Sequence, residues 1–176
     1  RGAVDGCGYE YLMVVHASDD EAVRYAGELP YEVLRCDSTA HIVHDRPTDI
    51  VGYALFRGGE VGEGLLERVS MPSLVMIGGG EESLTVSVAD PDLRFYEGPS
   101  DEVFDADGKR VERSIYSREW IDNPSGESLL EVTLRGRWAL KEADKGCRAE
   151  IDGDRTVVTF ACREGATREV TLKSMN

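Results

Sequence analysis

The chain has 176 residues, 41% hydrophobic and 31% charged, which is enough for a packed core and argues against disorder. A net charge of −14 argues against partners such as nucleic acid or anionic membranes, and against gripping a polyanionic polysaccharide over a broad face. No apolar run approaches the roughly 18 residues of a membrane span. Because the chain opens with Arg1-Gly2, we interpret it as a piece of a longer protein.

The first elements are a predicted strand and a predicted helix. Residues Tyr9 to His16 are aromatic and β-branched, which is typical of a central strand. Ser18 and Glu21 then have the spacing of a capping box, with acidic residues in the first turn. The helix is expected to end near Gly27, and it is the one helix that we identify.

Short strands follow the helix. Apolar and β-branched runs predict strands at 31–36, 40–44, 50–56 and 74–77, and residues 73–89 read as one hairpin closed by the turn at 78–80. Several of these runs are apolar on both faces. That pattern predicts burial on both sides, which a small free-standing module rarely needs.

The C-terminal part also predicts strands. Residues 130–134 alternate between apolar and polar, and 111–116 are expected to resume a strand. A turn at Gly153-Asp154 sets Cys147 opposite Phe160. We expect a three-residue loop at 164–166 to bring the last strand beside this hairpin, with Phe160 opposite Val170.

Four cysteines, Cys7, Cys36, Cys147 and Cys162, would allow three pairings if all were oxidised. In the predicted register Cys162 lies diagonal to Cys147 at roughly 7–8 Å, beyond comfortable disulfide reach. We therefore expect free buried thiols.

No residue set completes a catalytic or metal-binding motif. His41 and His44 are three apart on a strand and should face opposite ways, and His16 has no completing ligands. Residues 105–108 (Asp-Ala-Asp-Gly) resemble the start of a calcium loop but lack its later acidic ligands, so an Asp-Gly turn is favoured. Ser18 and Ser38 have no nucleophile motif around them.

Trp120 and Arg118 are the residues that could touch a sugar. An indole ring can stack on a pyranose, and a guanidinium can hold a carboxylate or sulfate. The alternative is a tryptophan packed under a long loop, and substrate-binding residues remain unassigned. The acidic pairs Asp19-Asp20, Glu81-Glu82 and Asp101-Glu102 read as solvated turns rather than as a general acid and base.

The order of these pieces resembles the C-terminal end of the bacterial lyases that include chondroitin, hyaluronan and xanthan lyases. The resemblance rests on a series of short motifs in the expected order. These are Tyr9-Glu10-Tyr11, the helix Asp19–Ala26, Tyr31-Glu32-Val33-Leu34, Ala40–His44, Leu84–Pro91 and Asp92–Asp101. The last of them looks most like the broad-specificity chondroitin ABC type, whereas His16-Ala17-Ser18 departs from a Pro-Gly turn found in many members.

The resemblance implies an all-β fold, an antiparallel β-sandwich with the last strands of a preceding β-supersandwich and one short helix. It implies a division into 1–72, the end of the central domain, and 73–176, the C-terminal sandwich. In this family an N-terminal helical toroid carries the catalytic asparagine, histidine, tyrosine and arginine. None of those motifs can be placed on this sequence, so the expected catalytic and metal-binding residues of this chain are none.

The leading hypothesis is a non-catalytic domain that supports a lyase cleaving chondroitin or dermatan sulfate by β-elimination. Its expected partners are the toroid and the central β domain of the parent chain, with glycosaminoglycan as substrate through that enzyme. The resemblance further implies a secreted or periplasmic location and a calcium ion in the parent enzyme, with no cofactor in this chain. The alternatives are a free-standing carbohydrate-binding β-sandwich module and an Ig-like adhesion or pilus domain.

Overall fold

The computed structural model describes residues 12–92, 103–111 and 126–175, and contacts divide the chain into two units, Arg1–Pro30 and Tyr31–Asn176. The first unit contains α1 (Asp19–Gly27), which confirms the predicted helix. Its capping box is complete: the Glu21 amide donates to Ser18 Oγ at 3.3 Å, and the Ser18 amide donates to the Glu21 carboxylate at 2.9 Å. The helix buries none of its residues.

The strand predicted over Tyr9–His16 is wrong where it can be checked. Residues 12–16 are irregular or turn, with exposed side chains, and Tyr9 to Tyr11 lie outside the described residues. An apolar, β-branched run becomes a strand when a neighbouring strand takes its backbone hydrogen bonds. Residues 12–15 have no such ladder in the part of the chain that the structure describes.

The second unit is an antiparallel β-sandwich, as expected from the sequence. Strand β7 (Ser83–Ala89) is the segment whose strict alternation is clearest, and its apolar side chains Leu84, Val86 and Val88 are all buried. The strands in chain order are β1 (Tyr31–Cys36), β2 (Ala40–Asp45), β3 (Ile50–Leu55), β4 (Gly59–Glu60), β5 (Leu66–Val69), β6 (Ser73–Gly79), β7, β8 (Val103–Phe104), β9 (Arg110–Val111), β10 (Ser128–Arg135), β11 (Trp138–Ala143), β12 (Cys147–Asp152), β13 (Arg155–Cys162) and β14 (Arg168–Ser174).

Two sheets enclose one core. The seven-stranded sheet has the order β1-β2-β3-β6-β7-β14-β11, and the five-stranded sheet has the order β12-β13-β10-β5-β4; β8 and β9 form a separate ribbon. Ile42, Val86 and Leu172 of the larger sheet join Leu130 and Phe160 of the smaller one in a single buried cluster. The inward half of each alternating strand therefore lies between the sheets.

Strands on both sides of residue 72 belong to one sheet. Strand β3 pairs with β6 through Tyr53 opposite Val75, and β6 pairs with β7 in the predicted hairpin. The division expected at 72/73 falls between β5 and β6, inside the second unit, whereas contacts separate the chain after Pro30. How much of 1–72 would belong to a central domain of a longer parent stays a prediction.

The predicted register of the β12–β13 hairpin is confirmed. Cys147 lies opposite Phe160, and Ala149 lies opposite Val158. Cys36, Cys147 and Cys162 are free thiols, as expected, but the expected burial holds fully for Cys162 alone of these three, since Cys147 is half-buried and Cys36 is exposed. Cys7 lies outside the described residues. The turn chemistry of Gly153, with φ of 63°, was sufficient to specify this hairpin.

The expected pairing of the last strand is wrong. Strand β14 pairs with β7 and β11 in the larger sheet, and β13 is flanked by β10 and β12 in the smaller one. Because both edges of β13 are occupied, β14 has no edge to join there. Phe160 and Val170 still belong to the same core, since the two strands lie on opposite layers of it.

The crossing from β10 to β11 is fixed by a buried threonine. The Trp138 amide donates to Thr156 Oγ1 at 2.8 Å, and that hydroxyl donates to the Gly136 carbonyl at 2.9 Å. The Trp138 indole N–H donates to the Arg135 carbonyl at 2.7 Å. Gly136 has φ of 87°, and a Cβ there would meet the indole nitrogen at 3.0 Å, so the corner requires glycine.

Candidate functional site

The histidines predicted to face opposite ways do so, and they do not converge. His41 contacts the Phe56 ring edge-on, with ring centroids 5.0 Å apart. His44 Nε2 lies 2.7 Å from Asp49 Oδ1 on the other face of β2. Across residues 12–92, 103–111 and 126–175, no three His, Cys, Asp or Glu side chains cluster as metal ligands.

Residues 105–108 form the turn of the β8–β9 ribbon, as interpreted from the sequence. Asp105 Oδ1 accepts hydrogen bonds from the Asp107 and Lys109 amides at 3.0 and 2.9 Å. The Gly108 amide donates to the Asp105 carbonyl at 3.0 Å. The Asp-Gly turn favoured from the sequence is therefore present, and Asp105 stabilises it through one carboxylate oxygen.

The serines and the acidic pairs that the structure describes lie in a helix cap, in the first turn of the helix or in turns between strands. Ser18 caps α1, and Ser38 lies in the β1–β2 turn, where Asp37 Oδ1 accepts from the Thr39 and Ala40 amides at 2.7 and 3.0 Å. The acidic pair at 81–82 lies in the exposed β6–β7 turn, and the pair at 19–20 lies in the first turn of the helix. Trp120 and Arg118, like the pair at 101–102 and residues 112–116, lie outside the described residues.

The two C-terminal thiols are poor nucleophiles. Burial raises the pKa of the Cys162 thiol; a hydrogen bond with the Asp90 backbone opposes this increase, and the charge of the Asp90 carboxylate adds to it. The pKa of Cys147 is also raised, first by burial and then by the Asp144 carboxylate. Both thiols therefore stay protonated at neutral pH, and the thiol form is the unreactive one.

An exposed apolar face is the clearest surface feature of the seven-stranded sheet. We call it the apolar face, and it consists of Val33, Val43, Phe56, Leu74 and Met76, which are 36–53% exposed. Val33 pairs with Val43, Val43 with Gly52, and Gly52 with Met76, so these positions form one row across four strands. His41, Ala54 and Leu74 form the adjacent row.

The same outer surface becomes polar toward the other end of the sheet. In the Met76 row the next positions are Ser87 and Glu169, and Ser87 Oγ donates to the Glu169 carboxylate at 2.6 Å. The apolar character is thus confined to β1, β2, β3 and β6. Large exposed apolar patches mark interaction sites with another polypeptide or a membrane, or ligand-binding grooves.

The sequence contained a signal for this face. Val33-Leu34, Ile42-Val43 and the run 74–77 place apolar residues on both sides of their strands, and we read that pattern as burial on both sides. The structure buries one side in the core and leaves the other exposed. What the pattern could not show is that the exposed residues would align into one patch, because that depends on the pairing register.

A cleft of about 850 Å³ lies at the end of the sandwich where β6 turns into β7. Leu65, Leu84 and Trp138 line its apolar part, while Asp49, Glu81, Glu82 and Lys173 line its polar part. Trp138 is 8% exposed. Three carboxylates against one ammonium group make this cleft unfavourable for an anionic ligand.

No helix in the described ranges is both long enough and apolar enough to cross a membrane. No family model matches the chain.

The matches to curated relatives cover most of this chain but only a small part of each relative. A chondroitin sulfate ABC exolyase of Bacteroides thetaiotaomicron is 42% identical over 168 residues, which is 94% of this chain and 17% of that protein. A chondroitin sulfate ABC exolyase of Proteus vulgaris is 31% identical over 140 residues, 78% of this chain and 14% of that protein. The chain therefore spans less than a fifth of the length of these relatives.

Solved structures share the fold at low sequence identity. The chondroitin AC lyase of Streptomyces coelicolor A3 superposes with a TM-score of 0.60 at 15% identity, covering 90% of this chain and 17% of that one. A xanthan lyase of Paenibacillus superposes with a TM-score of 0.63 at 12% identity, covering 91% of this chain and 13% of that one. These structures show the shared fold, whereas the sequence matches place the chain in the family of the bacterial chondroitin lyases, as part of its C-terminal region.

Proposed function

We propose that the chain is a non-catalytic C-terminal β domain of a lyase that cleaves chondroitin or dermatan sulfate by β-elimination, and that it supports the architecture of that enzyme. The observation that carries this proposal is the coverage of the relatives. A chondroitin sulfate ABC exolyase matches 94% of this chain while the match takes up 17% of the exolyase. A region of that size has the role of a domain within a larger enzyme.

The arrangement of the described side chains supports a non-catalytic role. Elimination from a uronate needs a base and an acid that converge on one sugar. His41 and His44 lie on opposite faces of β2, each against a neighbour of its own. The thiols of Cys147 and Cys162 are held in the protonated form.

The apolar face is the surface through which we expect the domain to support the enzyme. Its occupant in our proposal is the part of the parent lyase chain that precedes this region. The face includes β1, the first strand of the second unit, so a preceding domain lies close to it along the chain. Covering Leu74 and Met76, which are 48% and 53% exposed, would contribute favourable burial of roughly 25 cal/mol per Å².

Replacing Met76 with glutamate in a full-length lyase that carries this chain tests the support. We expect the unfolding temperature of the full-length enzyme to fall by several degrees, because a buried carboxylate without a partner costs several kcal/mol. The same change in the isolated chain should alter its stability by under about 1 kcal/mol, since Met76 is exposed there. The matched control is Ala139→Glu, an exposed position on β11 opposite Lys173 at the polar end of the same sheet, which should change the stability of neither protein. Equal effects of M76E on the isolated chain and the full enzyme would contradict the proposal.

The proposed partners are thus the remaining domains of the parent chain, with a glycosaminoglycan reaching it through the enzyme.

The named relatives are bacterial proteins. For a lyase that meets extracellular polysaccharide we propose a secreted or periplasmic location, which cell fractionation with an antibody to this chain would test. A calcium ion in the parent enzyme is proposed from the family resemblance alone, and metal analysis of the purified full-length enzyme would test it.

A further inference from the structure

Three arginines meet on the outer face of the five-stranded sheet. Arg68 on β5, Arg135 on β10 and Arg155 on β13 line a groove of about 330 Å³, which we call the arginine groove. These are the three central strands of a sheet whose order is β12-β13-β10-β5-β4. The volume lies at the lower end of the range for small-molecule sites. The three arginines are balanced in formal charge by Glu60, Glu67 and Asp152, which also line the groove.

Two of these arginines face each other directly. Arg135 and Arg155 are cross-strand partners, and like charges in that position are destabilising. The Glu67 carboxylate relieves the repulsion by lying 2.7 Å from Arg155 Nε and 3.5 Å from Arg135 Nε. The Glu67 side chain is 22% exposed, whereas those of Arg135 and Arg155 are 51% and 56% exposed. Glu67 therefore contacts the Nε atoms of both arginines and leaves the terminal nitrogens of Arg155, and one terminal nitrogen of Arg135, for other partners.

Several strong donors remain unused in the groove. Arg135 Nη2 donates to the Gly62 carbonyl at 3.2 Å, but the terminal nitrogens of Arg155 have no partner among the described residues. The side chain of Arg68 is exposed and makes no ion pair or hydrogen bond within the ranges that the structure describes. Guanidinium groups bind oxyanions through paired N–H donors, with bonds about twice as strong as neutral ones.

Acidic residues limit the length of the cationic region. Asp152 lies on β12 opposite Arg155, and Glu60 lies on β4 opposite Arg68. The three arginine-bearing strands in the middle of the sheet are thus flanked on each side by a strand that carries an acidic residue. Because both ends repel negative charge, the groove suits one localised oxyanion rather than a polyanion lying across the strands.

We propose that the arginine groove binds a single sulfate or carboxylate group of an anionic saccharide. The saccharide part of this assignment rests on the proposed function, whereas the oxyanion part rests on the geometry of the groove. The donors are the terminal guanidinium nitrogens of Arg155 and Arg135 together with the guanidinium group of Arg68. The site is local, so it does not conflict with the repulsion expected from the whole chain.

The test is a titration of the purified chain with a chondroitin sulfate tetrasaccharide, followed by NMR shifts of backbone amides. Arg68→Ala is the main variant, because that side chain has no ion pair or hydrogen bond to lose among the described residues, so we expect the variant to fold. We expect R68A to weaken binding about tenfold, the equivalent of one charge-assisted contact. The control is Arg148→Ala on the same sheet, whose side chain lies 3.6 Å from Glu150, outside the residues that line the groove, and it should bind as the unchanged chain does.

Removing the flanking acids provides a second test. Tighter binding in these variants would not be expected if the arginines of the groove had only a structural role. Asp152→Asn and Glu60→Gln should each strengthen tetrasaccharide binding about twofold to fivefold, because a nearby like charge disappears. Inorganic sulfate is titrated separately to distinguish a free anion from a saccharide. Binding of sulfate as tightly as the tetrasaccharide would overturn the saccharide assignment, as would equal binding of a single-stranded polynucleotide. Equal losses in R68A and R148A, or no shifts at the groove residues at millimolar tetrasaccharide, would overturn the site.

The test of the arginine groove and the test of the proposed function can fail independently of each other. A failure of the groove leaves the coverage of the relatives and the effect of M76E on the full enzyme untouched. A chain that proved catalytic would contradict the proposed function without affecting the titration of R68A.

Discussion

Phe160 is the largest of the fully buried side chains, and it lies near the centre of the core between the two sheets. Phe160→Ala should reduce the free energy of unfolding by about 3–5 kcal/mol through lost burial and an unfilled cavity. The control is Phe56→Ala, since Phe56 is 51% exposed and its removal should cost under about 1 kcal/mol. Urea denaturation followed by fluorescence measures both, and similar losses for the two variants would contradict this description of the core.

Thr159, the neighbour of Phe160, shows that alternation along a strand does not always predict which side chains are exposed. Its side chain points away from the core, which predicts exposure, yet it is 4% exposed. It lies between Glu131 and Arg148 on the flanking strands. Long charged side chains cover the surface beside them with their methylene groups, so a central strand can be buried on the outer face too.

Tyr53 provides a pH dependence. Burial raises the pKa of its hydroxyl from the ordinary 10.0 to about 12. Between these values the unfolded chain has released the proton that the folded chain keeps, so stability falls as pH rises from 10 to 12. Below pH 10 both states are protonated and Tyr53 contributes no slope.

Tyr53→Phe removes this titration. Stability measured by urea denaturation across the alkaline range should fall less steeply in Y53F than in the unchanged chain, once each is compared with its own value at neutral pH. The variant also loses the hydrogen bond from the Tyr53 hydroxyl to the Glu63 carbonyl, 3.1 Å long, which lowers stability at every pH by about 1 kcal/mol. Parallel curves for the two proteins would show that the phenol ionises equally in both states.

At the scale of elements, α1 depends on its cap. The helix has nine residues and buries none of them, whereas isolated helices shorter than about 12–15 residues are marginal in water. Ser18→Ala removes the hydroxyl that accepts from the Glu21 amide, a loss of about 1 kcal/mol. We expect the helical NMR shifts of Asp19–Gly27 to move clearly toward coil values. Ser38→Ala, in the β1–β2 turn, is the control, and helical shifts that stay unchanged in S18A would contradict the role of the cap.

Local chemistry explains which elements could be predicted. The capping box at Ser18 and the Gly153 turn each specify structure within a few residues, and both are confirmed. The hairpin over 73–89 is also confirmed, but the turn expected at 78–80 lies at 80–82, because Gly78 and Gly79 pair with Thr85 and Leu84 as part of β6. Alternation along a strand assigns the inward residues but not the partner strand. For that reason the core position of Val170 was predictable, whereas the choice of β7 and β11 as neighbours of β14 was not.

At the scale of the molecule, sequence motifs identified the family, but not the surfaces. The apolar face depends on Val33, Val43 and Met76 aligning through Gly52, and the arginine groove depends on Arg135 lying opposite Arg155. Both result from pairing between strands that are distant in sequence. Trp120 and Arg118, the residues singled out for sugar contact, lie outside the described residues, so that prediction stays open.

The central claim is that this chain supports a lyase without being one. The most direct measurement is incubation of the purified chain with chondroitin sulfate, followed by the ultraviolet absorbance of the unsaturated uronate that β-elimination produces. A full-length chondroitin sulfate ABC exolyase under the same conditions is the positive control. We predict no increase in absorbance with the isolated chain at any protein concentration, whereas a rate proportional to the concentration of pure chain would contradict the account.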